Sequence, residues 1–499
     1  MLIQNNTIHL INTFKLCRQR NNSTTYHIPN ILTQQHFLSQ ELIMAAETPT
    51  NNFIAIPDLQ SVNASIGEIL SSPLSLFQSS CGASTSTVGQ LQDKISSLDL
   101  SLTIPEHPEL RALGYSIGTN SFSGKYNLVL PDLQAAAEMA VGGSISIAVG
   151  VLFAAMLYHF VLPSREESST SPTKTRTLLI GSLICVISIM PYVLFDVVGI
   201  QNTAARFSVM APFILYLFRT FEAAAGFVPR GADESFRRYC TYFATPAELL
   251  FEQRVTRKEM IQSSMDVMKC AAIMSIVCTI LSPSGYTPFG AISAGEFYEP
   301  VTVENYLNPR HLGNCFAIAF FFQSGLALGT AAIGNLVQIL TGYKVLRAMK
   351  NPMLEATSPS DFWGKRWNLL VHVVLKRGVY KPVRRYASAL IASLAVFVAS
   401  GLFHEWVVHA VFLYNKQSEG VVLGSNTAFF VWNFVVIACE RMLVATKGVQ
   451  SLKKVLPRFM VTVMIIMSSL PAAHWFGGPY LNGNFFSDYE TFVPMIRKM

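Results

Sequence analysis

Long apolar segments alternate with short polar ones from residue 135 to residue 476. Each is close to the ~20 residues that an α-helix needs to cross a bilayer. The eight segments are Ala135–Leu162, Thr177–Ile200, Phe207–Phe227, Met265–Leu281, Cys315–Leu340, Ala387–Leu413, Val422–Val444 and Phe459–Phe476. Pro191, inside the second segment, predicts a kink there. The pattern predicts an all-α, polytopic membrane protein with about eight transmembrane helices.

The N-terminal part has a different composition. Residues 1–133 are rich in Ser, Thr, Asn and Gln, and their apolar patches are too short to span a membrane. Such a segment cannot bury a large core, so we expect a partly disordered extramembrane head. Residues 134–490 form the predicted membrane-embedded domain, and residues 491–499 a C-terminal tail.

The charge of the chain fits a membrane protein. Charged residues make up 13% of the sequence, against about 25% in soluble domains. The mean hydropathy is +0.37. The net charge of +7 is spread over loops, so its expected partner is the lipid bilayer and no nucleic acid.

Lys and Arg concentrate in alternate loops, which predicts the orientation. The basic loops are 163–176, 228–264, 344–385 and 445–458, and the loops poor in Lys and Arg are 201–206, 282–312 and 414–421. The positive-inside rule places the basic loops in the cytosol. We expect the protein in the endoplasmic reticulum.

The most basic loop contains an amphipathic segment, Asp361–Tyr380. Its apolar residues recur at helical spacing, with basic residues at both ends of the pattern and Pro359–Ser360–Asp361 as a cap. The pattern predicts an amphipathic helix in the membrane interface, with its Trp side chains at headgroup level. A basic rim there would suit a ligand that carries phosphates.

Four polar or small residues interrupt the sixth apolar segment: Ser400, Gly401, His404 and Glu405. A His inside a span is costly and is a candidate functional residue, although many such residues are only packed and hydrogen-bonded. A neutral His is the usual general base for a hydroxyl. The residues HEWVVH resemble a zinc motif, but His404 and His409 are five apart, about 140° around a helix. No metal site is predicted, and the eight cysteines, without a CxxC pair, predict no disulfide framework.

Two motifs together resemble a known family. The residues NP…SPSDFWGKRWN…H…VYKP, from Asn351 to Pro382, and SGLFHEW, from Ser400 to Trp406, are similar to the membrane-bound O-acyltransferase superfamily. They are most similar to its fungal wax-synthase-like branch, which includes terpenoid and meroterpenoid O-acetyltransferases. The resemblance covers about residues 135–490, and PAAHWFGGPY resembles the last span of the family.

The resemblance implies an enzyme that transfers an acyl group from acyl-CoA, here expected to be acetyl-CoA, to a hydrophobic alcohol. No bound cofactor and no metal are expected. His404 is the implied general base and Asn368 its catalytic partner. Trp363, Arg366 and Trp367 are implied to shape the site and the donor entrance, and Glu405 to orient it.

Other functions stay open at this point. The main alternative is a wax-ester or long-chain-alcohol O-fatty-acyltransferase, which uses the same chemistry on a longer chain. A transporter or non-catalytic scaffold is a more distant alternative, because the sequence has no internal repeat and no paired broken helices. A Ser hydrolase is not supported, since no G-x-S-x-G motif occurs.

Overall fold

A computed structural model describes most of the predicted membrane domain. The described residues are 101–104, 124–162, 174–281, 309–415, 421–444, 456–483, 485, 488 and 492–498. Residues 1–100 and 105–123 of the predicted head lie outside them. Most of the predicted loop 282–312 lies outside them too.

The described chain is predominantly helical. In order, its elements are β1 Ser101–Ile104, β2 Gly124–Val129, α1 Leu133–Phe160, α2 Lys174–Val198, α3 Thr203–Ala225, α4 Phe236–Ala244, β3 Leu249–Arg254, α5 Arg257–Leu281, α6 Pro309–Thr341, β4 Tyr343–Val345, α7 Pro352–Glu355, α8 Pro359–Asp361, π1 Phe362–Arg366, α9 Leu369–Leu375, π2 Lys376–Tyr380, α10 Lys381–Arg384, α11 Ala389–Val408, π3 His409–Leu413, α12 Ser425–Val444, α13 Arg458–Ser469, a 3₁₀ turn Leu470–Ala472, α14 Ala473–Asn482 and β5 Met495–Lys498.

Seven helical stretches in the described residues are long and apolar enough to cross a membrane. They are α1, α2, α3, α5, α6 from His311, α11 with π3, and α13 with α14. The prediction of a polytopic helical membrane protein is confirmed. The predicted span Val422–Val444 corresponds to α12, which is not among the seven.

Local caps explain where several of the long helices begin. Asp132 accepts a hydrogen bond from the backbone N–H of Gln134 at 2.8 Å and starts α1. Asn202 starts α3 in the same way through Ala205, at 2.9 Å. Such caps satisfy N–H groups that have no partner within the helix. α3 is the central helix of the bundle, since 67% of its most apolar window is buried, against 22–33% in the other spans.

The predicted amphipathic segment is not one continuous helix. It consists of π1, α9 and π2, and it breaks at Asn368, whose φ of 40° and ψ of 62° are left-handed. Asn tolerates this conformation better than most residues with a Cβ. Val374 and Leu375 of α9 are buried in the main core. The apolar spacing therefore reflects packing inside the bundle on both sides of a break.

Two small antiparallel sheets were not predicted. In the first, β2 pairs with both β1 and β5, with Leu128 opposite Ile496. In the second, β3 pairs with β4 at the start of the most basic loop. The sheets join residues that are far apart in the sequence at the ends of the helical bundle, where short alternating segments give little signal.

A buried ion network holds the broken segment against α3 and α4. Arg377 of π2 donates two hydrogen bonds to Glu248, at 2.8 and 2.9 Å, and one to the hydroxyl of Tyr242 at 3.2 Å. It also forms an ion pair with Glu222 of α3 at 3.1 Å. Burial acts to lower the pKa of Arg377, but the carboxylates and Tyr242 raise it overall. Arg377 therefore stays charged and fixes π2 in the bundle.

We predict that Arg377→Gln lowers the free energy of unfolding by about 3–5 kcal/mol, because it removes the ion-pair partner of two buried carboxylates. The measurement is thermal unfolding of the purified protein in detergent. Arg384→Gln is the matched control, since Arg384 is exposed and, among the described residues, its side chain hydrogen-bonds only to the carbonyl of Ala387. Equal stability of the two variants would contradict the assignment.

Candidate active site

A cavity of about 770 Å³ lies inside the bundle and is lined mostly by apolar side chains. Its lining comes from α3, α6, α7, α8, π1, α9, π2, α11, α12, α13 and α14 and from neighbouring turn and loop residues. We name two parts of it. The basic end is formed by Lys376, Tyr380 and Arg441, and the aromatic end by Phe207, Tyr480 and Phe485. Three of the predicted site side chains that line this cavity are Asn368, His404 and Trp363.

His404 lies between these two ends. Its ring stacks on Phe430 of α12 with a centroid distance of 4.6 Å, and Phe430 is about 16 Å along that helix from Arg441 at the basic end. On the other side, Phe476 of α14 contacts the His404 ring at 5.2 Å. Tyr480 follows Phe476 by one helical turn at the aromatic end. The cavity therefore extends in both directions from His404.

The tautomer of His404 follows from its hydrogen bond. Its Nδ1 lies 2.7 Å from the carbonyl oxygen of Ser400. A carbonyl only accepts, so Nδ1 carries a proton and donates it. In the neutral imidazole, Nε2 then has a free lone pair, and no described residue bonds to it. Phe403, at 4.0 Å between centroids, and Phe430 hold the ring in place. This arrangement suits a general base.

Asn368 offers a hydrogen-bond donor to the same cavity. Its Oδ1 accepts the backbone N–H of Val371 at 3.4 Å and so caps α9. That bond assigns the oxygen of the amide, because an N–H needs an acceptor. The Nδ2 group therefore keeps its two N–H donors, for which the described residues supply no acceptor. A donor of this kind can stabilise an oxyanion.

Trp363 and Trp367 both line the cavity, and hydrogen bonding fixes Trp363. Its Nε1–H donates to Oδ1 of Asn433 at 3.1 Å, and the same oxygen accepts from Ser469 at 2.7 Å. The ring of Trp363 lies 5.9 Å from that of Phe430, which stacks on His404. The ring of Phe430 therefore contacts both Trp363 and the imidazole of His404.

Arg366 lies away from the apolar cavity. It borders a separate polar cleft of about 540 Å³ with Lys350 and Lys365. Its Nε donates to Asp361 at 2.7 Å and its Nη1 to Glu355 at 2.8 Å. Burial acts to raise the pKa of Asp361, but the charge and hydrogen bond of Arg366 and the hydrogen bonds from Thr357 together lower that pKa overall. Arg366 has two carboxylate partners here, and its role in donor binding stays a prediction.

Glu405 is also outside the cavity lining. Its Oε1 accepts the backbone N–H of Thr427 at 2.8 Å, in the first turn of α12. A carboxylate stabilises a helix N-terminus. The two helices cross closely here, because a Cβ on Gly401 would lie 2.6 Å from the Cα of Thr427. Glu405 therefore joins α11 to α12 next to His404.

Sequence reasoning left out His372 and Lys376 as site residues. They follow Asn368 at steps of four residues, and all three line the cavity. Burial and the neighbouring Lys376 lower the pKa of His372, so it is neutral at neutral pH. The spacing of four was visible in the sequence. It gave no signal of a cavity, because the same spacing fits the exposed face of an amphipathic helix.

Comparison with known proteins connects this site to a chemistry. Residues 346–432 match the Membrane bound O-acyl transferase family. The matched segment includes Asn368 and His404, the two predicted catalytic residues. It also includes the broken segment, α11 and the first part of α12.

Curated relatives match a similar part of the chain. A probable long-chain-alcohol O-fatty-acyltransferase 2 of Arabidopsis thaliana is 28% identical over 162 residues, which are 31% of this chain and 45% of that protein. A long-chain-alcohol O-fatty-acyltransferase of Simmondsia chinensis is 34% identical over 132 residues, 25% of this chain and 36% of that protein. The chain thus spans less than half the length of these relatives.

We predict that Asn368→Ala destabilises the protein by about 1–2 kcal/mol more than Asn368→Gly does. Ala is strained at a φ of 40°, whereas Gly adopts it freely. Thermal unfolding of the two purified variants measures the difference. Asn351, which has a φ of 46°, should show the same order. If the Ala and Gly variants of Asn368 unfold together, the left-handed conformation does not constrain this position.

Proposed function

We propose that this protein is an acyl-CoA-dependent O-acyltransferase that esterifies a hydrophobic alcohol inside the membrane. The observation that carries the proposal is the shared cavity of His404 and Asn368, within the segment that matches the acyltransferase family. A neutral imidazole with a free Nε2 and an amide with free donors are the two groups that a direct acyl transfer requires.

The donor enters at the basic end. Lys376 and Arg441 supply positive charge there, which suits the phosphates of coenzyme A. The pantetheine arm then extends along α9, past His372, and brings the thioester carbonyl to Asn368. The nearby cleft with Lys350, Lys365 and Arg366 is a further place for phosphate contacts.

The reaction proceeds by direct transfer. Nε2 of His404 takes the proton of the acceptor hydroxyl as its oxygen attacks the thioester carbonyl. Nδ2 of Asn368 donates to the oxyanion of the tetrahedral intermediate. The C–S bond then breaks, the ester forms, and the thiolate of coenzyme A takes the proton from His404. The apolar lining of the cavity limits competing hydrolysis by water.

The proposal includes two acceptor classes. The curated relatives are named for long-chain alcohols and fatty acyl groups, which favours a wax-type ester. The resemblance to the fungal branch favours acetyl transfer from acetyl-CoA to a terpenoid or meroterpenoid alcohol. Both reactions use the same residues and differ in what fills the cavity. We propose the endoplasmic reticulum as the location for either.

We predict that His404→Ala lowers turnover by about 10²–10⁴-fold, the usual contribution of a general base. Asn368→Gly should lower it by about 10²–10³-fold, as for the loss of an oxyanion donor. Microsomes that contain each variant receive radiolabelled acetyl-CoA or palmitoyl-CoA with a terpenoid alcohol or a long-chain alcohol. Label in an ester is the readout.

His409→Gln is the matched control, because His409 bonds to Tyr192 and does not line the cavity. Ester formation by His404→Ala at the rate of this control would overturn the mechanism. Acetyl transfer to the terpenoid would establish the first acceptor class, and palmitoyl transfer to the long-chain alcohol the second. No His404-dependent ester from any pair would overturn the proposed function for these substrates.

A further inference from the structure

The aromatic end of the cavity is formed by rings in mutual contact. Tyr480 contacts Phe476 at 5.3 Å between centroids, Phe322 at 4.9 Å and Phe207 at 6.3 Å. Phe485 contacts both Phe207 and Tyr480, at 5.4 Å. These rings come from α3, α6 and α14 and, for Phe485, from the residues after α14.

Tyr480 brings a polar group into this apolar surrounding. Its side chain is 1% exposed, and it lines the cavity. No described residue accepts the phenol proton or donates to the phenol oxygen. The carboxylate of Glu405 is near enough to act on it electrostatically, but the two form no hydrogen bond. Most hydroxyl groups in such apolar surroundings are hydrogen-bonded in proteins, so this phenol, which borders the cavity, can bind a ligand there.

We propose that Tyr480 recognises the acceptor by a hydrogen bond to a second oxygen, remote from the hydroxyl that is acylated. This inference rests on the proposed function and narrows its acceptor to an apolar alcohol with a further hydroxyl, carbonyl or ether group. Phe476 lies between His404 and Tyr480 and contacts both rings. The second oxygen of the acceptor therefore lies on the other side of the Phe476 ring from the hydroxyl that is acylated.

The position of Tyr480 favours the acceptor over the acyl chain as its partner. The donor comes from the basic end and presents its carbonyl at Asn368, so the aromatic end lies beyond His404 and can hold the body of the alcohol. An unsubstituted alkyl chain in this part would leave the phenol without a partner. Ser208 also lines the cavity. Its hydroxyl donates to the carbonyl of Ala204 at 2.9 Å, so its oxygen can still accept a hydrogen bond from a ligand in the cavity.

The test compares Tyr480→Phe with the unchanged protein on two acceptors of equal size, a terpenoid diol and the corresponding mono-alcohol. We expect Tyr480→Phe to lower kcat/KM for the diol by up to about tenfold and to leave the mono-alcohol and the KM for acyl-CoA unchanged. The control is Tyr386→Phe, because Tyr386 is 90% exposed and outside the cavity.

A binding readout separates this inference from the proposed function. Each acceptor is added to the purified protein in detergent, and the rise in melting temperature is measured without acyl-CoA. The inference is supported if the diol raises the melting temperature more than the mono-alcohol does and if Tyr480→Phe removes this difference. This holds even if no ester forms.

An equal loss of kcat/KM for the diol and the mono-alcohol would mean that Tyr480 acts only through packing or through Glu405. An unchanged kcat/KM for both acceptors, or a change only in acyl-chain preference, would mean that the phenol does not bind the acceptor. Each of these results overturns the inference.

Discussion

The ion pairs of Arg377 are the constraint on which the site depends. The segment with Asn368 is polar and broken, and a broken backbone inside an apolar bundle is tolerated only where other protein groups satisfy it. Arg377 connects this segment to Glu248 and to Glu222 of α3, the most buried span. A salt bridge of this kind adds little net stability when compared with an apolar packing, but it fixes position strongly, because each charge is costly without the other.

α12, which is not among the seven candidate spans, also holds this part of the chain in place. α12 carries polar residues in an apolar stretch, and these hold the FWGKRW region. Asn433 accepts from Trp363, and Glu440 accepts from the backbone and the hydroxyl of Ser360, at 2.8 and 3.0 Å. The polar residues of α12 therefore serve the site next to it.

Much of this structure could be predicted from the sequence, but the break at Asn368 could not. Hydropathy predicted seven of the spans, because length and composition decide whether a helix can cross a bilayer. The motifs predicted that Asn368 and His404 belong to one site, and both line one cavity. The break at Asn368 was missed because apolar residues keep helical spacing across it. Glu248 and Arg377, which are far apart in the chain, gave no local signal of their pairing. Tyr480 lay within a recognised motif, yet only the fold shows that its phenol has no partner among the described residues.

The rings around His404 determine which nitrogen of the imidazole can carry a proton during the proposed reaction. Phe403 and Phe430 stack against the imidazole, and the Nδ1 bond to Ser400 prevents the ring from turning over. On the proposed function, a single nitrogen must therefore both take up and release the proton. The proposed direct transfer has no acyl-enzyme intermediate, so the alcohol and the thioester must be bound together while this nitrogen carries the proton. Steady-state kinetics should then follow a sequential scheme through a ternary complex, with intersecting rather than parallel double-reciprocal lines.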